Sequence, residues 1–79
     1  MKRKAREIDK MATGQRIRLL RKEKGLTSGD VQRFFEFTNS SSVLDWEKGK
    51  SVPTLEHLCA LAYLLDVRVD DILVYSCIN

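Results

Sequence analysis

An amphipathic segment near the C-terminus limits the fold most strongly. Pro53 disfavours helix at the residue before it, and Thr54 can cap a helix that follows. Apolar side chains then recur with helical period, at Leu55, Leu58, Leu61, Ala62 and Leu65. A stripe of this kind buries one side of a helix against a core. We therefore predict a helix over residues 54–65 in an all-α protein.

Shorter segments of the same period lie on both sides of this one, separated by Gly25, by a capping-box-like Thr27–Asp30 segment and by Gly49. The predicted helices are 11–24, 28–36, 40–48, 54–65 and 69–75. Their inward positions predict a core of Ile17, Leu20, Leu26, Val31, Phe35, Val43, Trp46, Leu58, Leu61, Ala62, Leu65 and Ile72. No stretch alternates long enough to indicate a strand, apart from a frayed tail at 73–78. The pattern predicts an all-α five-helix bundle.

The charge of the chain is unevenly distributed. Seventy-nine residues allow one domain. Residues 1–25 carry a net charge of +7 and residues 26–79 carry −4, although the whole chain is only +3. A basic end suits a polyanion such as DNA, and the plainer interpretation is a solubilising tail. We predict a flexible basic arm over residues 1–10 and a folded domain over 11–79. Deletion of residues 2–9 from such an arm would leave the melting temperature nearly unchanged.

Several classes of protein are disfavoured by the sequence. There is no apolar run of about 18 residues and no signal-peptide pattern, so we expect a cytoplasmic protein. His57 and Cys59 are two residues apart and would point to different faces of a helix, which argues against a metal site or a catalytic pair. No glycine-rich phosphate loop is present. We predict no enzymatic activity, no metal and no cofactor.

Six short motifs point to one family. They are Gly14-Gln-Arg-Ile-Arg-Leu-Leu-Arg, Gly25-Leu-Thr, Trp46-Glu-Lys-Gly-Lys, Pro53-Thr-Leu, Leu65-Asp-Val and Asp71-Ile-Leu. In this order and spacing the chain resembles the Cro and phage-repressor type of helix-turn-helix, often called the Xre family, over about residues 12–75. The resemblance implies a lambda-repressor-like bundle in which helices 2 and 3 form the DNA-binding unit. Helix 3 would enter the major groove.

The resemblance also implies which residues would contact DNA. By position these are Ser28, Asn39, Ser40, Ser41, Asp45, Lys48 and Lys50. Helix 3 would read bases with its serines and Asp45, and the lysines would contact the backbone. The chain departs from the family at Ser28, where a long donor is usual, and at Gln32, where a small residue is usual. The turn between helices 2 and 3 is one residue longer than usual, and Glu36 or Phe37 replaces the usual turn glycine. Serine discriminates weakly between bases, so these departures weaken the expectation of specific readout.

Three further features follow from the resemblance and from the residues themselves. Family position implies a partly buried ion pair between Arg21 and Glu47 that would hold helix 3 against helix 1. Trp46 is expected in the core, and Phe34 or Phe37 is expected to be partly exposed.

The apolar C-terminal run is too long to be buried completely in so small a core. It predicts an isologous dimer interface that includes Val69, Leu73, Val74, Tyr75 and Ile78.

The function that these features predict is a repressor-like transcription regulator that binds double-stranded DNA sequence-specifically as a homodimer. An alternative stays open. The acidic 26–79 region and the serine-rich helix 3 also suit a helix-turn-helix module that binds a protein partner, of the antitoxin or anti-regulator kind.

Overall fold

The structure is a computed structural model, and it describes residues 5–78. Its helices are α1 (Lys10–Glu23), α2 (Ser28–Phe35), α3 (Ser41–Lys48), α4 (Leu55–Leu65) and α5 (Val69–Ile72), and its strands are β1 (Ala5–Ile8) and β2 (Tyr75–Ile78). The five predicted helices are confirmed, with ends that differ by one residue except in the last helix. Helix α5 stops at Ile72 because the chain is extended at Leu73 and continues into β2.

Local hydrogen bonds explain where the helices begin. The Asp9 carboxylate accepts the Ala12 N–H (2.9 Å) and starts α1. Thr27 and Asp30 form the capping box of α2, in which each side chain accepts the other's backbone N–H. The Thr27 N–H, with smaller contributions from hydrogen bonds with the Thr27 hydroxyl and Arg33, lowers the pKa of Asp30 below its ordinary value. The cap is therefore fully formed at neutral pH and weakens as the pH falls through that lowered pKa.

The core follows the predicted apolar positions. The buried hydrophobic residues are Ile17, Leu20, Val31, Val43, Trp46, Leu58, Leu61, Ala62, Leu65 and Ile72. The remaining two predicted members, Leu26 and Phe35, are half-buried and pack against this cluster. Phe35 and Phe37 stack with ring centroids 5.2 Å apart and contact the edge of Trp46, while Phe34 is 40% exposed. The expectation of a buried tryptophan is confirmed.

Both ends of the described chain are joined in a small sheet. Strand β1 pairs antiparallel with β2, with Ala5 opposite Ile78 and Ile8 opposite Tyr75. This region differs from the predicted flexible arm: residues 5–8 form a strand and Asp9 caps α1. Strands of four residues are too short to show a clear alternation of apolar and polar side chains in the sequence. Their pairing depends on backbone groups that are far apart along the chain. The arm residues 2–4 lie outside the described part of the chain.

A buried threonine attaches this sheet to α1. The hydroxyl of Thr13, which is 1% exposed, accepts the Val74 N–H (3.0 Å) and donates to the Val74 carbonyl (3.2 Å). The same carbonyl accepts the Asp9 N–H at 2.8 Å. The backbone groups just before β2 are thus satisfied by the first turn of α1.

Helices α1 and α3 pack backbone to backbone at Gly14. A Cβ placed on this glycine would collide with the carbonyl oxygen of Trp46 and lie 2.9 Å from that of Glu47. A little further along the same contact, the side chains of Arg21 and Glu47 form an ion pair. The absence of a side chain at Gly14 therefore sets the distance between the two helices.

Gly14→Ala should destabilise the protein by about 1–3 kcal/mol, because the added methyl group has only backbone to displace. Gly29→Ala is the matched control. It is also a helical glycine, but a Cβ there would come no closer than 3.5 Å to its nearest neighbour, an Arg33 nitrogen. This control should be neutral or stabilising by up to about 1 kcal/mol. Urea denaturation measures both, and equal stabilities for the two variants would contradict the close contact.

Deleting residues 2–9 should lower the melting temperature, contrary to the expectation for a flexible arm. The deletion removes β1 and the Asp9 cap, and the cap alone is typically worth about 1 kcal/mol. Circular dichroism melting of the full chain and the truncated chain provides the test. An unchanged melting temperature would show that the sheet contributes nothing to stability.

Candidate nucleic-acid interface

The turn between α2 and α3 is closed by hydrogen bonds between Gln32 and Phe37. Glu36 takes the left-handed conformation (φ 57°) that ends α2. The Gln32 side-chain amide donates to the Phe37 carbonyl at 3.2 Å, and the Phe37 N–H donates back to the Gln32 carbonyl at 3.1 Å. Gln32, a departure from the family pattern in the sequence, therefore stabilises this turn. Its amide reaches the Phe37 carbonyl because the chain turns back at Glu36, and nothing in the periodicity signals this.

The start of α3 is fixed by Asn39. Its side-chain oxygen accepts the Ser41 N–H at 2.9 Å, while Ser40 at the cap position makes no side-chain cap hydrogen bond. The Ser40 hydroxyl therefore takes no part in the cap. Asn39, which was predicted from the sequence to contact DNA, has a structural role at this end of the helix.

Helix α3 has one buried and one solvent-facing side. Val43 and Trp46 are buried in the core. At 100° per residue the opposite side carries Ser41, Asp45 and Lys48, within about 60° of one another. The structure thus brings together the α3 residues that were predicted from the sequence.

The remaining predicted contacts lie outside α3. Lys50 is exposed just after the helix, where its backbone N–H is bound by the Asp45 carbonyl (2.9 Å). Ser28 is half-buried at the first position of α2.

The Arg21–Glu47 pair holds α3 in this orientation. Nε of Arg21 donates to Oε2 of Glu47 at 2.6 Å, and Nη2 donates to Oε1 at 2.9 Å. A third donor, Nη1, binds the Leu26 carbonyl at 2.9 Å. The side chains are 12% and 7% exposed, and the hydrogen bonds to Glu47 raise the pKa of Arg21 above its ordinary value. A bidentate pair of this geometry restricts rotation of α3 about its axis.

A small pocket opens between α1 and α3 beside this ion pair. Its volume is about 200 Å³, and it is lined by Arg18, Arg21, Leu44, Glu47 and Lys48. Arg18 was not among the site residues predicted from the sequence. Its position three residues before Arg21 on the same helix could have indicated that the two side chains lie close together.

The predicted dimer residues divide into two groups. Val69 and Leu73 pack against the core, and the backbone of Val74 is bound to Thr13, so these residues present less apolar surface than expected. Tyr75 is 43% exposed, and the side chain of Ile78 lies outside the described set. A larger apolar surface lies elsewhere, on the outer side of α4, and it consists of Leu55 (74% exposed), Cys59 and Tyr63 (82% exposed).

The described residues offer neither a metal site nor a membrane-spanning helix. Among residues 5–78 no group of three or more His, Cys, Asp or Glu side chains is arranged to hold a metal ion. No helix in this part of the chain has the length and apolar character required to span a membrane.

Comparisons with known proteins agree with this geometry. The chain is similar to the restriction-modification controller protein C.AhdI from Aeromonas hydrophila, with 30% identity and a TM-score of 0.73 over 81% of this chain and 96% of that chain. It also shares the fold of the DNA-binding domain of BldD, with 24% identity and a TM-score of 0.70 over 82% and 93% of the two chains. No curated protein sequence matches significantly. The family model for helix-turn-helix proteins matches residues 17–72. The chain therefore belongs to the helix-turn-helix family, and its fold is that of DNA-binding transcription regulators.

Proposed function

We propose that this regulator binds a short, roughly palindromic DNA operator as a homodimer, with α3 of each copy in the major groove and a repressor-like action. The observation that supports this proposal is the orientation of α3. Its apolar side is buried, its ends are fixed by Asn39 and Gly49, and its outer side carries polar and charged groups, namely Ser41, Asp45 and Lys48. A helix of two turns is short enough to lie across the groove.

The proposed contacts fall into two kinds. Ser40, Ser41 and Asp45 face base edges, where Asp45 can accept from a cytosine amino group. The backbone contacts come from Lys48, Lys50, Ser28 and the amide nitrogen of Asn39, since the oxygen of that amide is already bound to the Ser41 N–H. Phosphate contacts would supply most of the affinity, and the weakly selective serines would supply limited discrimination.

Lys50→Ala should weaken binding to all duplexes about equally and reduce the slope of log affinity against log salt by about one unit, because one phosphate contact is lost. Ser41→Ala is the comparison, and it should change the preference among sequences more than the overall affinity. Fluorescence anisotropy titrations at several salt concentrations measure both quantities. An unchanged affinity and slope for Lys50→Ala would show that this loop does not lie on DNA.

A protein-binding role is the second candidate. It is favoured by two partly exposed apolar side chains on the helix-turn-helix unit, Phe34 near the end of α2 and Leu44 on α3. The same titrations separate the two functions. A folded protein that fails to bind any duplex at low salt would favour the protein-binding module.

We propose a homodimer because a single α3 reads only a few base pairs, whereas two copies reading half-sites about 34 Å apart would bind more selectively. The proposed isologous interface has two parts. One is the C-terminal surface predicted from the sequence, in which Tyr75 is the exposed residue, and the other is the outer side of α4. Leu55 and Tyr63 support this extension, because large, strongly exposed apolar side chains on one side of a helix commonly mark an interface. Cys59, which is also exposed, lies between them on the same side of α4.

Tyr63→Glu and Tyr75→Glu should each produce a folded monomer, because a charge would be buried at the interface. Leu19→Glu is the control, since Leu19 is a 49% exposed apolar residue of α1 outside both surfaces, and it should remain dimeric. Analytical ultracentrifugation at micromolar concentration determines the states. A monomeric wild-type chain with intact operator binding would rule out the dimer.

A further inference from the structure

We propose that the pocket between α1 and α3 binds one phosphodiester group of the DNA backbone, held between Arg18 and Lys48. This inference rests on the proposed function, because it assigns the groove-flanking phosphate that α3 would meet. It adds Arg18, on a helix outside the helix-turn-helix unit, to the DNA-contacting surface.

The charge of the pocket is the first argument. Three cations and one carboxylate line it. Arg21 and Glu47 neutralise each other through their bidentate pair. Arg18 and Lys48 are both exposed, and neither has a hydrogen bond or ion pair with another side chain in the described part of the molecule. The pocket thus holds two uncompensated cations, which favours an anionic ligand.

The remaining donors of Arg21 are the second argument. A guanidinium group has five N–H donors in a fixed fork. Two of them bind Glu47 and one binds the Leu26 carbonyl. Two N–H groups are left on the terminal nitrogens, at a side chain that lines the pocket. Rigid N–H donors next to two exposed cations suit the oxygen atoms of a phosphate group.

The size of the pocket limits what it can hold. Pockets for drug-sized ligands and cofactors usually measure about 300–1,000 Å³. This pocket, at about 200 Å³, suits a small group such as one phosphate, and the partly apolar wall formed by Leu44 suits the sugar carbons beside it. A whole nucleotide would be too large.

The position of the pocket identifies that phosphate. Leu44 and Lys48 lie one turn apart on α3. Lys48 is on the side that carries Ser41 and Asp45, and Leu44 borders that side. A helix in the major groove has a phosphate backbone on either side of it. The pocket lies directly beside the proposed reading side, on the flank nearest α1, and would therefore face one of these two backbones.

Charge-removing variants test the assignment. Arg18→Gln and Lys48→Gln should each reduce duplex affinity about tenfold near 0.1 M salt and reduce the salt slope by about one unit, the effect of one lost phosphate contact. The double variant should lose less than the product of the two single effects, because both side chains hold the same phosphate. Circular dichroism melting establishes that each variant is folded.

Lys22→Gln is the matched control. Lys22 is an exposed cation one turn further along α1 that does not line the pocket, and its loss should leave the slope unchanged. If Arg18→Gln behaves like Lys22→Gln while the wild type binds duplex, the pocket assignment is wrong and the proposed function survives. If the folded wild type binds no duplex at low salt, both are wrong.

A titration with inorganic phosphate distinguishes the source of the anion. Followed by NMR of the arginine Nε–H signals, the wild type should show weak perturbation that does not saturate below tens of millimolar. Saturable binding of phosphate alone at lower concentration, abolished by Arg18→Gln, would identify a site for a free anion and overturn the DNA assignment.

Discussion

Close contact between the backbones of α1 and α3 determines where α3 lies. Gly14 allows α1 to approach the carbonyl groups of Trp46 and Glu47, and the bidentate pair of Arg21 and Glu47 fixes the rotation of α3 at the same contact. Buried Trp46 fills the space between α3 and the turn that precedes it. The outer side of α3 is therefore defined by contacts on its inner side. The ion pair contributes mainly geometry, because the cost of desolvating two charges offsets much of their attraction.

The same helix α1 also holds the two ends of the described chain. Thr13, one residue before Gly14, binds both backbone groups of Val74, and Asp9 both caps the helix and binds Val74. Helix α1 thus contacts both α3 and the terminal sheet. In so small a domain, this arrangement links the strength of the terminal sheet to the stability of the surface that would meet DNA.

The sequence was most informative where the physical cause was local or periodic. The helical stripes located the helices and the core, because burial of one side of a helix repeats along the chain. The Arg21–Glu47 pair could be expected from family position alone. The sequence leaves open a strand in the tail at 73–78, which corresponds to β2, but its pairing with β1 could not be predicted, because strands of four residues depend on pairing between distant parts of the chain. The hydrogen bond from Gln32 to the turn and the pocket beside Arg18 likewise depend on how segments meet in space, which residue patterns do not encode.

Selection of binding sites from random duplex DNA at near-physiological salt tests the central claim most directly. If α3 of two copies reads adjacent major-groove half-sites, the selected pool should be enriched in a palindrome whose half-sites are centred about one helical turn apart. Enrichment of a single half-site would contradict the dimer. A pool without any enriched sequence, from a folded protein, would contradict sequence-specific DNA binding itself.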